Sequence, residues 1–237
     1  MHFNNAMGGD ANIMPISSDY PRLAAGPVGK QIHSIYQSRL RQFTDGGQYR
    51  DQGLLGKITE GRASGADWVK LSVYSPPNLT RPTFKDATSH SFKPTKVGES
   101  FGPSWSTHWF KIQLTVPKDL RDKEHLEFVW DANNEGMIWT AKGDVVHGLT
   151  GGGERTEWIL PKEFRDGKEH VFYVEMACNG MFGNAAGGDS IQPPDPNRYF
   201  QLHTADIVAV NLEARALYFD FWEIGGKFDI KQVEDFS

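Results

Sequence analysis

From Trp68 onward, apolar side chains recur at every second position. WVKLSVY (68–74), HWFKIQLTV (108–116), HLEFVW (125–130), GMIWT (136–140), TEWIL (156–160) and EHVFYVEMA (169–177) are β-branched and aromatic runs set between Gly, Pro, Asn and Asp clusters. This spacing predicts six strands. No helical pattern interrupts them, so the strands are expected to pair antiparallel. Two stacked sheets of jelly-roll type are the simplest way to bury their apolar faces. QLHTADIVAV (201–210) predicts one strand more. On either side the period changes. Val28, Ile32, Ile35, Tyr36 and Phe43 fall on one face of a helix over 28–43, and NLEARALYFDFWEI predicts a second helix over 211–224. Asn211 is a suitable N-cap for it, with Glu213 in the first turn. Leu217, Tyr218, Phe219, Phe221 and Trp222 exceed the single apolar stripe of a surface helix, which implies a further packing partner.

The expected organisation is therefore a flexible or docked tail at 1–27, a helix and connector at 28–66, and a β-sandwich at 67–210. A helix at 211–224 and a tail at 225–237, where the apolar character stops abruptly, complete the chain. The fold class is mainly β: an antiparallel β-sandwich with an N-terminal and a C-terminal helix.

Composition narrows the partners. The 237 residues carry a net charge of −5, and no Lys/Arg run exceeds two residues, so nucleic acid and anionic membrane surfaces are poor partners. A lone cysteine, Cys178, excludes an intrachain disulfide and fits a reducing compartment. The first residues have neither the charged nor the apolar segment of a secretory signal, and no apolar run reaches the roughly 18 residues of a membrane span. A cytoplasmic location is expected.

Candidate chemistry is sparse. None of the eight histidines stands in His-x-Asp or His-Glu-x-x-His, and the nearest approach, His125-Leu126-Glu127, reads as a solvated strand face. Cys178 closes an apolar strand, where a buried structural role is expected, and no Gly-x-Ser-x-Gly is present. Asp131 and Glu135 flank a turn, and the turn itself calls for such residues. The glycines of HGLTGGGERTEW lack a following Gly-Lys-Ser/Thr and read as a hairpin loop. Trp105 and Trp109 offer a sugar-stacking platform, extended by Trp130, Trp139 and Trp158, against the alternative of packing between sheets. The long loop 179–198 carries Asn179, Gly180, Met181 and Phe182, a tip suited to an interdomain contact or a site rim.

Taken in order, YPRLAAGPVGKQIHSIYQSRLRQF, FGPSWSTHWFK, VWDANNEGMIW, GLTGGGERTEWIL, VEMACNGMFG, PPDPNRYFQL and NLEARALYFDFW resemble the N-terminal region of the cytosolic and vacuolar α-mannosidases of glycoside hydrolase family 38, most closely the fungal members. The resemblance spans roughly residues 20 to 224. It implies a galactose-binding-like jelly roll that precedes a catalytic domain. That domain would bind zinc through His and Asp ligands, a His-x-Asp pair among them, and hydrolyse terminal α-mannosides with retention through an Asp nucleophile. None of those motifs occurs here, so no catalytic or metal residue is carried over and no cofactor is expected in this chain.

The resemblance further implies a non-catalytic support domain, inactive alone, whose partner is the catalytic domain in cis. Asn179, Gly180, Met181 and Phe182 would face the active-site rim. A carbohydrate-binding module and a homo-oligomerising scaffold are the alternatives, and a signal-peptide-independent route to the vacuole is the alternative location. The junction Gly226-Lys227-Phe228 is encodable as GGT-AAG-TTY, which contains a splice-donor consensus. The expectation is an intron read through into protein, truncating the chain before its catalytic domain.

Overall fold

The computed structural model describes residues 32–44, 51–152, 154–180 and 195–226. Its elements, in chain order, are α1 (His33–Thr44), α2 (Leu55–Ile58), β1 (Thr59–Ala63), β2 (Val69–Tyr74), α3 (Phe84–Ser89), β3 (Lys93–Thr95), β4 (Ser100–Phe101), β5 (Thr107–Leu114), β6 (Leu126–Asp131), β7 (Glu135–Thr140), β8 (Val145–Thr150), β9 (Glu157–Ile159), β10 (His170–Ala177), β11 (Phe200–Gln201), β12 (Thr204–Val210) and α4 (Leu212–Gly226). One sheet runs β3-β2-β5-β10-β7-β8 and the other β1-β12-β6-β9, with β4 and β11 forming a separate pair. Every pairing is antiparallel, as the alternating pattern requires.

Alternation decides what enters the core. On β5 the inward set is Phe110, Ile112 and Leu114, on β10 Phe172, Val174 and Met176, and on β6 Leu126, Phe128 and Trp130, all buried. Aromatic rings then join the sheets edge to face. Phe128 meets Phe172 at 5.0 Å and 82°, and Phe110 meets Trp130 at 4.8 Å and 71°. Such pairs add about 0.5–1.5 kcal/mol beyond the burial of their surface. Gly151 follows β8 of one sheet on the way to β9 of the other. Gly151 lies so close to the backbone of Asn133 and Asn134 that a Cβ there has no room. The HGLTGGGERTEW segment is thus half strand and half inter-sheet turn rather than a loop alone.

The helices lie outside this sandwich. α1 packs along α4, with Phe43 stacked on Phe221 at 6.0 Å, and the Asn211 amide bonds the Ile58 carbonyl at 2.8 Å beside α2. Asn211 caps α4 as expected, its Oδ1 accepting from the Ala214 amide at 2.9 Å. The first helix starts at His33 in the described residues, and positions 28–31 of its expected span lie outside them, as do 1–27 and positions 227–237 of the expected tail at 225–237, whose first two residues belong to α4.

Two corrections follow. Thr59–Ala63, assigned to a connector, is an edge strand paired with β12; its sequence TEGRA has no apolar alternation, and the neighbouring strand recruits it. His125 and Glu127 do not form a solvated face. Glu127 is 4% exposed because α4 lies over it. His125 Nε2 and Arg215 Nη1 both meet Glu127 Oε1 at 2.7 Å. A carboxylate placed under a helix needs such partners, since an unpaired buried charge is strongly destabilising.

Candidate functional site

The antiparallel registers bring the segments after β2, before β5, after β10 and between β6 and β7 to one end of the sandwich. Asn179 and Gly180 are there. The Asn179 carbonyl accepts from the Glu135 amide at 3.1 Å, and Asn179 Nδ2 donates to Glu135 Oε2 at 3.1 Å, so this stretch is tied to the start of β7. Met181 and Phe182 lie outside the described residues. Asp131 is engaged in the turn, where its Oδ1 accepts from the amides of Asn133 (2.8 Å) and Gly152 (3.3 Å). Its carboxylate shapes backbone, and Glu135 holds Asn179.

Trp105 and Trp109 do not form one platform. Trp105 is 54% exposed on a left-handed backbone (φ 69°), and its amide is fixed by the Cys178 carbonyl at 2.9 Å. A bulky residue in that region is strained and held there by its surroundings. Trp109 points from β5 to the outer face of the six-stranded sheet and is 1% exposed, with Phe84 of α3 at 5.9 Å and Trp139 at 5.5 Å. Trp130 and Trp158 sit between the sheets, in the core.

Behind Trp105 runs a closed polar network. Ser106 Oγ donates to the Pro103 carbonyl (2.7 Å), so toward His108 it acts as acceptor and His108 carries its proton on Nε2 (2.9 Å). Nδ1 then accepts from Ser75 Oγ at 2.8 Å. Burial pushes the His108 pKa down to about 4, so the ring is neutral near pH 7. Burial likewise pushes the Cys178 thiol up to about 11, against a smaller opposing effect of its hydrogen bond with Ser106. A protonated, buried thiol is no nucleophile. The trio is structural.

One concavity among the described residues is not announced by the sequence. Thr83-Phe84-Lys85-Asp86 opens α3, with Thr83 Oγ1 accepting from the Asp86 amide at 3.3 Å. That Thr-x-x-Asp spacing is a capping signal that would have revealed this short helix. α3 lays Phe84 over Trp139 (5.6 Å, 21°) and Tyr173 (5.3 Å, 89°). Beside Phe84, Arg81 Nε donates to Glu175 Oε1 at 3.0 Å. The result is an open cleft of about 570 Å³, bounded by the turn at Lys142 and Gly143. Among the described residues, no group of three or more His, Cys, Asp or Glu side chains is placed to hold a metal ion. Nor, among them, is any helix long and apolar enough to cross a membrane.

Comparison with known proteins joins these observations. Residues 66–208 match the family described as α-mannosidase, jelly roll domain. The chain is 43% identical to the α-mannosidase of Saccharomyces cerevisiae, 37% to α-mannosidase G of Dictyostelium discoideum and 33% to α-mannosidase 2C1 of Homo sapiens. These matches cover 84%, 83% and 84% of the chain but only 20%, 18% and 18% of the relatives, so the chain spans about a fifth of their length. Among solved structures, a β-glucuronidase of Bacteroides uniformis covers 63% of this chain and 18% of its own at 13% identity, with a TM-score of 0.37, a likeness that carries no argument. The sandwich, its antiparallel order and the matched span agree: this chain belongs to the α-mannosidase family and carries its jelly-roll domain.

Proposed function

We propose that this chain is the non-catalytic support domain of an α-mannosidase and that it acts by docking its helix pair against the catalytic domain that accompanies it in cis. The observation that carries this reading is the contrast in burial around α4. Leu217 and Phe219 on α4, Ile35 and Phe43 on α1 and Leu55 just beside them are 43–60% exposed, although the sandwich a few residues away is closed. Large apolar side chains gathered on one side of a fold mark an interaction surface. The relatives are about five times longer than the matched region, which supplies a partner for that surface.

In this reading, hydrolysis of terminal α-mannosides, with zinc, resides in the catalytic domain. Homo-oligomer assembly would draw on the same exposed helices. The reading places the enzyme in the cytoplasm, with delivery to the vacuole by a route that needs no signal peptide. The assay is direct: the purified 237-residue chain, supplied with zinc, releases no p-nitrophenol from p-nitrophenyl α-mannoside. Turnover that follows the chain through every purification step would overturn the non-catalytic role.

A further inference from the structure

We infer that the loops at the Trp105 end of the sandwich form a second docking surface for the catalytic domain, anchored by Trp105 and Leu79. The inference rests on the in-cis reading above and adds where else the partner is held. Among the described residues, four that are not glycine have a left-handed backbone: Asn78 (φ 56°), Leu79 (φ 56°), Trp105 (φ 69°) and Asn133 (φ 55°). The strand registers place all four in loops at this one end. Asparagine accepts that conformation, so Asn78 and Asn133 need no further account. Leucine and tryptophan are strained by it. Leu79 is 52% and Trp105 54% exposed, so about half of each residue gives this chain no burial in return for the strain.

The loops nevertheless hold these side chains firmly. The Thr80 amide donates to the Pro77 carbonyl at 3.2 Å and closes the turn that carries Leu79. Around Trp105, its own amide donates to the Cys178 carbonyl at 2.9 Å and the Ser106 amide to the Pro103 carbonyl at 3.0 Å. Tyr199, 59% exposed, lies on the same loop, so close to Gly102 that a Cβ there would be 2.8 Å from its ring. Exposed Trp and Tyr side chains fixed in advance are what the hot spots of polypeptide interfaces are richest in. A sugar would also need polar groups free beside the ring. Here Ser75, His108 and Ser106 bond one another behind Trp105, and Asn179 bonds Glu135.

The occupant is polypeptide from the rest of the enzyme. About four fifths of each relative lies outside the matched region, and a tethered partner meets this surface at high effective concentration. The surface is distinct from the helix pair. β12 runs from Thr204 at this end to Val210, where Asn211 opens α4, so the two are separated by about 20 Å of strand. A domain gripped at both places cannot pivot on either.

The test puts this chain in place of the matched region of the Saccharomyces cerevisiae α-mannosidase and follows the loss of p-nitrophenyl α-mannoside hydrolysis on heating. Leu79→Asn with Trp105→Asn keeps the left-handed turns and removes both anchors. It is expected to shorten the inactivation half-life about ten-fold. In the 237-residue chain alone, the same pair should move the urea midpoint far less than Phe172→Ala does. An unchanged half-life would overturn the inference. So would a midpoint loss as large as that of Phe172→Ala, which would make the two side chains part of this fold. Saturable movement of the Trp105 indole resonance by methyl α-mannoside would overturn it in favour of a sugar platform, and self-association abolished by Trp105→Asn in favour of a second copy. Leu217→Ser with Phe219→Ser, placed in the same enzyme, separates the two readings. If that pair alone shortens the half-life, the helix docking stands and this surface falls; if neither pair does, both fall.

Discussion

The interior of the sandwich and the helix pair beside it are both rich in aromatic side chains, yet they are finished to different degrees. Phe110, Phe128 and Phe172 are at most 1% exposed and touch rings from the opposite sheet, whereas Phe43 and Phe219 are 60% and 55% exposed. Composition is therefore not what separates the two regions. The sandwich closes because each sheet supplies the other's partner. The helices have one another and the flank of the four-stranded sheet, and Ile35, Phe43, Leu217 and Phe219 are still 43–60% exposed. A chain can complete its core and leave an interface open in the same few residues, and the open part is where a partner is to be sought.

The contrast can be broken hardest from the sandwich side. Phe172→Ala removes a ring that meets Phe128, Trp158 and Phe164, and it is expected to cost about 3–5 kcal/mol in urea unfolding. A loss below 1 kcal/mol would mean that the core is looser than its geometry.

Acid should act nearly as strongly. His108 has a pKa of about 4 in the folded chain against 6.5 when unperturbed, so the unfolded state takes up the proton first. Stability is unaffected by this group above 6.5, falls as the pH drops toward 4, and is then lower by about 3 kcal/mol. Between pH 6.5 and 4 the unfolding free energy of the parent should fall by about this much more than that of His108→Gln, and parallel pH profiles would remove the histidine from the account.

The smallest effect on stability belongs to the helices. Leu217→Ser with Phe219→Ser should lower stability by only about 1–2 kcal/mol, since about half of each side chain is already in water. Light scattering should nevertheless show reduced self-association of the purified chain.

The same difference governs what could be read from the sequence. Strands β2, β5, β6, β7, β10 and β12 were legible because a half-buried sheet imposes period two on its own residues. β1 was not, since TEGRA owes its strand to β12 and not to its own side chains. The polar pair His125 and Glu127 was misread for a related reason. Spacing of two tells which face of a strand a residue occupies, not what covers that face, and Arg215 lies 88 residues further on. The α3 cleft draws Arg81, Trp139, Lys142 and Glu175 from separate parts of the chain, and no local motif joins them. Trp109 was legible as an aromatic strand residue, but its partner in that cleft is Trp139 and not Trp105.

The central claim, a self-sufficient sandwich beside an unfinished helical face, is tested most directly by amide hydrogen exchange on the purified 237-residue chain. Amides of β5, β6 and β10 should exchange only through global unfolding, while those of α1 and α4 exchange through local opening at a much lower free energy. Equal protection of α4 and β10 would contradict the account, because it would show that the helices need no partner to be complete.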